Sequence, residues 1–261
     1  MEPQRTNSVE EATRIIGLAE SKGVVLRLLG GVAFYLRCPS ARNGSIARSY
    51  SDLDFIGHAR QSLEIKQVFG ELGYLARERF NALYGSRRLG FTDSAKKTRV
   101  DVFLDVFEMC HKFDLKQRME IDRQTITLAD LLATKLQVIQ TNEKDLGDMF
   151  CLLVDHEVGG SDLRDTINGE YLARLCGEDW GIYKTFSMKL AMLAASVEKS
   201  NLKEPERELV IKRVRRLSAA IESAPKSIAW KMRAAIGERV RWYELPEEDA
   251  GLVERVQARE S

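Results

Sequence analysis

Short apolar runs and longer amphipathic stretches alternate in the first half of the chain. The runs Val24 to Leu29, Leu53 to Ile56 and Arg99 to Val106 have the length and alternation typical of strands. Between them, 8–19 and 62–70 carry apolar residues at helical spacing. This half therefore predicts a mixed sheet with helices packed on it.

Two other segments of this half are less regular. The segment 74–93 indicates two strands joined by a turn at Gly85, and 38–50 reads as a polar loop. From Thr127 onward the pattern is helical, with predicted helices up to Gln140 and then at 145–156, 169–176, 180–198, 205–222 and 225–236. The predicted fold class is α+β (α/β): a mixed-sheet domain at 1–125 followed by a helical C-terminal domain at 126–261.

Composition and charge narrow the class of protein. The chain has 261 residues, 44% hydrophobic and 30% charged, which is typical of a soluble globular protein. Its 40 Lys and Arg residues against 39 Asp and Glu residues give a net charge of +1. Global charge thus predicts no nucleic-acid or membrane partner, although a local patch stays open. No apolar run approaches the ~20 residues that span a bilayer, and the polar N-terminus does not resemble a signal peptide.

Cysteine and histidine residues show no metal-binding pattern. The 4 cysteines are scattered without a Cys-x-x-Cys pair, which argues against a zinc site and a disulfide framework and favours a reducing, cytoplasmic location. His58, His111 and His156 lack metal-ligand spacing, so we expect them to be structural or exposed.

Carboxylates placed inside predicted strands are the strongest chemical signal. Asp52 and Asp54 stand at i and i+2, so in a strand they point to one face. Asp101 lies inside another strand, where Asp105 shares its face as a competing candidate. Three such carboxylates suit Mg²⁺, and two Mg²⁺ ions can clamp both oxygens of a phosphoryl or nucleotidyl transfer. The alternative for Ser51-Asp52 is a simple turn.

The order of these motifs resembles the nucleotidyltransferase superfamily, the polymerase beta-like group. The shared motifs are a Gly30-Gly31 turn, the Asp52-x-Asp54 strand and Asp101 on a later strand. Further along, a Lys135-Leu136 pair on a helix precedes Lys144-Asp145-x-x-Asp148, which is similar to the AbiEii/MenA-type nucleotidyltransferases. The resemblance covers residues 20 to 157.

This resemblance implies roles for particular residues. Asp52, Asp54 and Asp101 would bind two Mg²⁺ ions, or Mn²⁺, and Asp101 would orient and deprotonate the attacking hydroxyl. The catalytic set adds Lys135 and Asp145, and the nucleotide-binding set comprises Gly30, Gly31, Ser51, Lys135 and Asp148. For Lys135 the alternative is a side chain that reaches solvent, and for Asp145 and Asp148 it is helix capping at the surface.

The resemblance also implies a reaction and its partners. The protein would move an NMP from an NTP to an acceptor hydroxyl, with a tRNA or other RNA 3′ end as the leading acceptor, and the helical domain would complete the active-site cleft. Many similar proteins are toxins, which adds a cognate antitoxin as a partner. The alternatives are an antibiotic-modifying nucleotidyltransferase, a transferase that adenylylates a protein, and a nucleotide-binding regulatory module without turnover.

Two stretches leave functional and structural interpretations open. Twenty residues separate Gly31 from Asp52, and the loop between them, with Arg42, Asn43 and Arg48, would either bind triphosphate or acceptor or be a surface insertion. The stretch 212–241 holds nine basic residues and two acidic ones, with Trp230 among them and Trp242 and Tyr243 directly after it. It would either bind RNA or form amphipathic helices with solvated arginines and core tryptophans.

Overall fold

A computed structural model describes residues 3–43, 46–47, 50, 52–93, 98–163 and 165–245 of the chain. Its first half contains α1 (Pro3–Ser21), β1 (Leu26–Leu29), α2 (Gly30–Arg37), α3 (Pro39–Asn43), β2 (Leu53–Gly57), α4 (Ser62–Glu71), β3 (Leu75–Ala76), α5 (Glu78–Tyr84), β4 (Arg88–Thr92), β5 (Arg99–Leu104), β6 (Val106–Glu108) and β7 (Lys112–Asp114). The second half contains α6 (Leu128–Leu136), α7 (Glu143–Asp155), β8 (Glu157–Gly159), β9 (Thr166–Asn168), α8 (Gly169–Glu178), α9 (Trp180–Ser196), α10 (Glu204–Ser223) and α11 (Ile228–Ile236). The predicted α+β fold class, a mixed sheet followed by helices, is confirmed.

The main sheet has five strands in the order β1-β2-β5-β4-β3. Strands β2 and β5 run parallel at its centre, and the other neighbouring strands pair antiparallel. Their register places Asp54 of β2 opposite Leu29 of β1 on one side and opposite Asp101 of β5 on the other. Because directly opposed residues point to the same face, Asp54 and Asp101 share one face of the sheet.

The two faces of this sheet differ in chemistry. One face is apolar: Phe55 of β2 and Phe91 of β4 pack against Phe69 of α4, with ring centroids 6.3 and 4.3 Å away. Helix α1 adjoins α4 and β1 on the same layer. The opposite face carries Asp54 and Asp101 and is covered by α2 and α5, as the contacts of Gly30 and Gly90 show. The period of two along each strand thus separates the core from the polar face.

The helical half packs against the sheet domain along α6 and α7. Helix α10 contacts α7, α8 and α9, while α6 contacts α2 as well as α8 and α9. Thr127 caps α6 by accepting the Asp130 amide, and Asn142 and Asp145 form a capping box at the start of α7. These caps fix the start of both helices that bear the predicted Lys-Leu and Lys-Asp-x-x-Asp motifs.

The structure differs from the sequence prediction in several places, among them the short strand pairs β6–β7 and β8–β9, which were not predicted. Segment 74–93 is a strand, a helix and a strand, because Asn81 binds both the N–H and the C=O of Gly90 and folds α5 onto β4. Strand β5 ends at Leu104, because Asp105 adopts a φ of 59°. The start of the predicted 38–50 loop is helix α3, which the side chain of Asp155 anchors through the Ser40 N–H and hydroxyl.

No helix among the described residues is long and apolar enough to cross a membrane. The four cysteines are all buried thiols. The three histidines are buried as well, and each bonds a protein group: His58 to two carboxylates, His111 to Thr185 and His156 to the Arg37 carbonyl.

Candidate active site

Asp54 and Asp101 form the centre of the candidate site. They lie near the N-terminal ends of the two parallel central strands and are direct partners in register. Nothing in the local sequence around either aspartate fixes this register. It follows from the apolar face, where Leu53 and Phe55 lie opposite Val100 and Val102. The site therefore depends on packing on the far side of the sheet.

Asp54 is an acid held in an unfavourable place for a negative charge. Burial raises its pKa to about 7, and the negative charges of Asp101 and Asp52 push it in the same direction. The positive charges of Arg88 and Lys135 lower it but do not offset the rise. These five groups therefore share one electrostatic environment, which joins β2, β4, β5 and α6.

The Gly30-Gly31 turn lies directly against this acid. Gly30 has a φ of +69°, and a Cβ there would stand 2.3 Å from Asp54 Oδ2. A Cβ on Gly31 would stand 2.2 Å from the ring of Tyr50. Both distances are far below van der Waals contact, so a side chain at either position would displace Asp54 or Tyr50, and the positive φ of Gly30 also favours glycine. The turn also places the first N–H groups of α2 beside Asp54, where a helix N-terminus favours an anion.

Lys135, Asp145 and Asp148 form a buried ionic cluster next to the turn. Lys135 Nζ lies 2.8 Å from Asp145 and 2.9 Å from Asp148, and these side chains are 15%, 12% and 0% exposed. Burial lowers the pKa of Lys135, but the two carboxylates outweigh it, so the net direction is upward. Lys135 thus does not reach solvent, and Asp145 combines its ion pair with its capping role.

Tyr50 links the ionic cluster to the glycine turn. Its hydroxyl donates to Asp148 at 2.9 Å, and its ring packs on Gly31 and against the edge of Tyr35. The Lys135 ammonium also lies 5.5 Å from the Phe34 ring centre, on α2. The predicted residues of the two halves are therefore joined into one region, across 98 positions of sequence.

Two arginines hold Asp101. Arg88 of β4 approaches its carboxylate at 2.8 Å and Arg77 at 3.5 Å. Both guanidinium groups also lie over the ring of Phe80, at 4.4 Å for Arg77 and 5.7 Å for Arg88. Asp101 is thus oriented by a charged and aromatic wall built from α5 and β4.

The remaining predicted residues are placed as follows. Asp52 is exposed and precedes strand β2, which begins at Leu53, so the predicted pair spans the start of the strand. Ser51 and Arg48 lie outside the described residues. Arg42 donates to the carbonyls of Tyr35 and Leu36 and closes the C-terminal end of α2.

The competing candidate Asp105 lies away from this region. Its positive φ turns it out of the strand, and its carboxylate accepts from the Ala59 N–H and bonds His58. The expected shared face of Asp101 and Asp105 is therefore wrong, because the strand ends between them. Asp105 instead fixes the loop after β2.

A metal ion is compatible with the donor chemistry of the site. Asp52, Asp54 and Asp101 supply hard oxygen donors, and the raised pKa of Asp54 shows a negative charge that a cation would stabilise. Among the described residues, no three His, Cys, Asp or Glu side chains are already gathered as a metal site. The carboxylates therefore suit Mg²⁺ by chemistry, and an ion bound at Asp101 would compete with its arginine partners.

A cavity of about 560 Å³ lies elsewhere in the molecule. Leu28, Leu36 and Leu128 contribute to its wall. Leu28 pairs with Phe55 in register, so it faces away from Asp54. The cavity is therefore separate from Asp54 and Asp101.

The structure adds Tyr50, Arg77 and Arg88 to the residues found by sequence. A tyrosine in a polar loop and arginines in a predicted hairpin carry no motif. The only sequence signal for the arginines is their density, with Arg77, Arg79, Arg87 and Arg88 in twelve residues.

Comparison with known proteins finds distant structural similarity and no sequence match. No protein-family model matches the chain, and no curated protein matches its sequence. It is similar to the solution structure of the antibiotic-resistance factor ANT(2'')-Ia, with 14% identity over 56% of this chain and 82% of that one and a TM-score of 0.38. It is also similar to the STING-associated CdnE c-di-GMP synthase from Capnocytophaga granulosa, with 11% identity over 85% and 82% of the two chains and a TM-score of 0.27. At these scores the likeness carries no argument, and the functional interpretation rests on the residues themselves.

Proposed function

We propose that this protein is a nucleotidyltransferase of the polymerase beta-like type that moves an NMP from an NTP to an acceptor hydroxyl. The observation that carries the proposal is the register of the central strands. It brings Asp54 and Asp101 side by side and places the Gly30 turn against Asp54. Carboxylates, a glycine turn and a helix N-terminus together can accommodate a metal-bound triphosphate.

In this proposal each group has a distinct role. Asp52, Asp54 and Asp101 hold Mg²⁺, which supplies charge neutralisation on the phosphate oxygens when bound. The amides of Gly30 and Gly31 bind the triphosphate, and Lys135 adds positive charge on the nucleotide side, held by Asp145 and Asp148. The oxygen of the acceptor forms a bond to the α-phosphorus, the bond to the β-phosphate breaks, and pyrophosphate leaves with that electron pair. Asp101 accepts the proton of the acceptor hydroxyl.

The proposed acceptor is RNA, with a tRNA 3′ end as the leading case. A toxin that is controlled by a cognate antitoxin is the biological role that goes with it. The second candidate acceptor is a small molecule such as an antibiotic, which the net charge of +1 favours because RNA-binding proteins usually rely on cations.

The test is transfer of label from each α-³²P-labelled NTP, with Mg²⁺, into total RNA, cell protein or antibiotics. Asp54→Asn is the inactive variant, and Asp114→Asn, on the exposed side of β7, is the matched control for loss of one carboxylate. Label that appears on one acceptor, is lost in Asp54→Asn and is retained in Asp114→Asn supports the proposal and identifies the acceptor. Label that persists in Asp54→Asn, or no label on any acceptor, refutes it.

A further inference from the structure

An open, arginine-rich surface adjoins Asp101. Arg77, Arg79, Phe80 and Leu83 line a groove of about 430 Å³ along α5, and Glu78 is its acidic member. We call the surface formed by Arg77, Arg79, Phe80, Leu83, Arg88 and Arg99 the α5 surface. Helix α5 has no buried residue, and Leu83 is 67% exposed.

The sheet orients the α5 surface toward the reaction centre. Arg99, Asp101 and Phe103 alternate along β5 and so share a face, and Arg88 lies opposite Phe103. Gly90 lies opposite Asp101, and a Cβ on it would stand 3.1 Å from both Arg77 and Phe80. The absence of a side chain there lets α5 lie on the sheet, with Arg77 beside the Asp101 carboxylate.

This concentration of charge is local. The whole chain has a net charge of +1, yet this surface has four arginines against two acidic residues, Glu78 and Asp101. Two of them pair with Asp101, while Arg79 and Arg99 lie exposed beyond it. Guanidinium groups bind phosphate by paired hydrogen bonds and stack on planar rings, and the exposed Leu83 and half-exposed Phe80 offer apolar contact for bases.

We propose that the α5 surface binds the phosphodiester backbone of a single-stranded RNA, whose terminal hydroxyl it directs to Asp101. This inference rests on the proposed function for the role of the bound RNA as acceptor. The charge that favours RNA binding here does not depend on that function. A polycationic acceptor such as an aminoglycoside would be repelled by the same arginines. The α5 surface therefore favours an anionic acceptor over a polycationic one, in contrast to the net charge of the whole chain.

The basic stretch 212–241 provides the contrast. Arg213 is buried against the Leu153 and Val154 carbonyls and Glu157, and Arg233 donates to the carbonyls of Gly237 and Val240. Trp230 packs on Tyr183, and Trp242, directly after the stretch, packs on Trp180. Much of its charge and aromatic surface is thus used inside the helical half, although Arg215 and Arg216 of α10 are exposed.

The test compares two double variants that each remove two exposed arginines. Arg79→Gln/Arg99→Gln alters the α5 surface, and Arg215→Gln/Arg216→Gln is the matched control on α10. Binding of a fluorescein-labelled single-stranded RNA is measured by anisotropy over a series of salt concentrations. Each phosphate contact on a single strand contributes about 0.7 to the salt slope. Losing two contacts should weaken binding about 25-fold at ~0.1 M salt and reduce the slope by about 1.4.

The outcomes separate this inference from the proposed function. Weaker binding and a smaller slope in Arg79→Gln/Arg99→Gln alone support it, and Arg79→Lys/Arg99→Lys should restore most of the affinity. The inference is overturned if both variants lose RNA affinity equally, if only the α10 variant loses it, or if the wild type does not bind the RNA at low salt. An acidic protein that binds the α5 surface while RNA does not also overturns it. RNA binding without label transfer would refute the proposed function and leave the inference standing. Label transfer to a small molecule without RNA binding would support the proposed function and refute the inference.

Discussion

Replacing Lys135 by methionine tests whether the ionic cluster of α6 and α7 is a buried structural unit. Methionine keeps the length and apolar stem of lysine but removes the ammonium. Asp145 and Asp148 would then be left as carboxylates that are 12% and 0% exposed, without their shared counter-ion. Loss of one partner from a buried ion pair costs about 3 to 5 kcal/mol, so we expect a decrease of that size in the free energy of unfolding.

Urea denaturation at neutral pH measures this decrease, and two companion variants interpret it. Lys184→Met removes the lysine of an exposed pair, whose partner Glu238 is 59% exposed. It should cost at most about 1 kcal/mol. Lys135→Met/Asp148→Asn removes the ammonium and one carboxylate together and should recover about 1 to 3 kcal/mol of the loss.

Three results would contradict this reasoning. A cost below about 1 kcal/mol for Lys135→Met would mean that the cluster behaves as a surface pair. A double variant that is no more stable than Lys135→Met alone would mean that the Asp148 carboxylate is not the group left without a counter-ion. Equal decreases in the free energy of unfolding for Lys135→Met and Lys184→Met would mean that burial does not set the size of the decrease.

Three further predictions concern the acid, the tyrosine and the glycine turn. Because the pKa of Asp54 rises from 3.8 to about 7, the folded state holds a proton between these pH values that the unfolded state releases, and stability falls as pH rises. The free energy of unfolding of Asp54→Asn should therefore equal that of the wild type near pH 4 and exceed it by up to about 4 kcal/mol above pH 7, at ~1.4 kcal/mol per pH unit. Denaturation curves that give the same difference at both pH values would contradict this. Added Mg²⁺ should stabilise only the wild type. Tyr50→Phe removes the bond to Asp148 and should cost about 1.5 to 3 kcal/mol. In an Asp148→Asn background, whose amide oxygen accepts an uncharged hydrogen bond, the same change should cost only about 0.5 to 1.5 kcal/mol. Gly30→Ala should lose both stability and label transfer. Gly17→Ala, in the middle of α1 with open space around it, should instead gain up to about 1 kcal/mol of stability. A similar shift of the thermal melting temperature in both variants would refute the steric argument.

The sequence predicted the parts of the fold that depend on local pattern. Alternating apolar residues identified β2 and β5, and glycine marked the turn before α2. The helix cap at Thr127 is equally local, because its partner Asp130 is three residues away. Such signals act within one or two turns of chain, so they can be read without knowledge of the fold.

Other features depend on contacts that no local pattern contains. Helix α5 was predicted as part of a hairpin, because aromatic residues at 80 and 84 suit a strand as well as a helix. Asn81 decides between these states through its bonds to Gly90, nine residues away. Likewise, Tyr50 meets Asp148 only after the sheet and α7 are packed, so neither residue indicates the other in the sequence.

The distribution of countercharge separates the roles of the site's carboxylates. Asp145 and Asp148 are balanced by Lys135, and Asp101 by Arg77 and Arg88. Within the part of the chain that the structure describes, Asp54 has no ion-pair partner, and burial together with the negative charges of Asp101 and Asp52 raises its pKa. A protein that only needed a stable sheet would place an apolar residue there, since burying a charge without a partner is costly. The cost is concentrated at the carboxylate that lies against the glycine turn, where the Mg²⁺ of the proposed function would supply the missing positive charge.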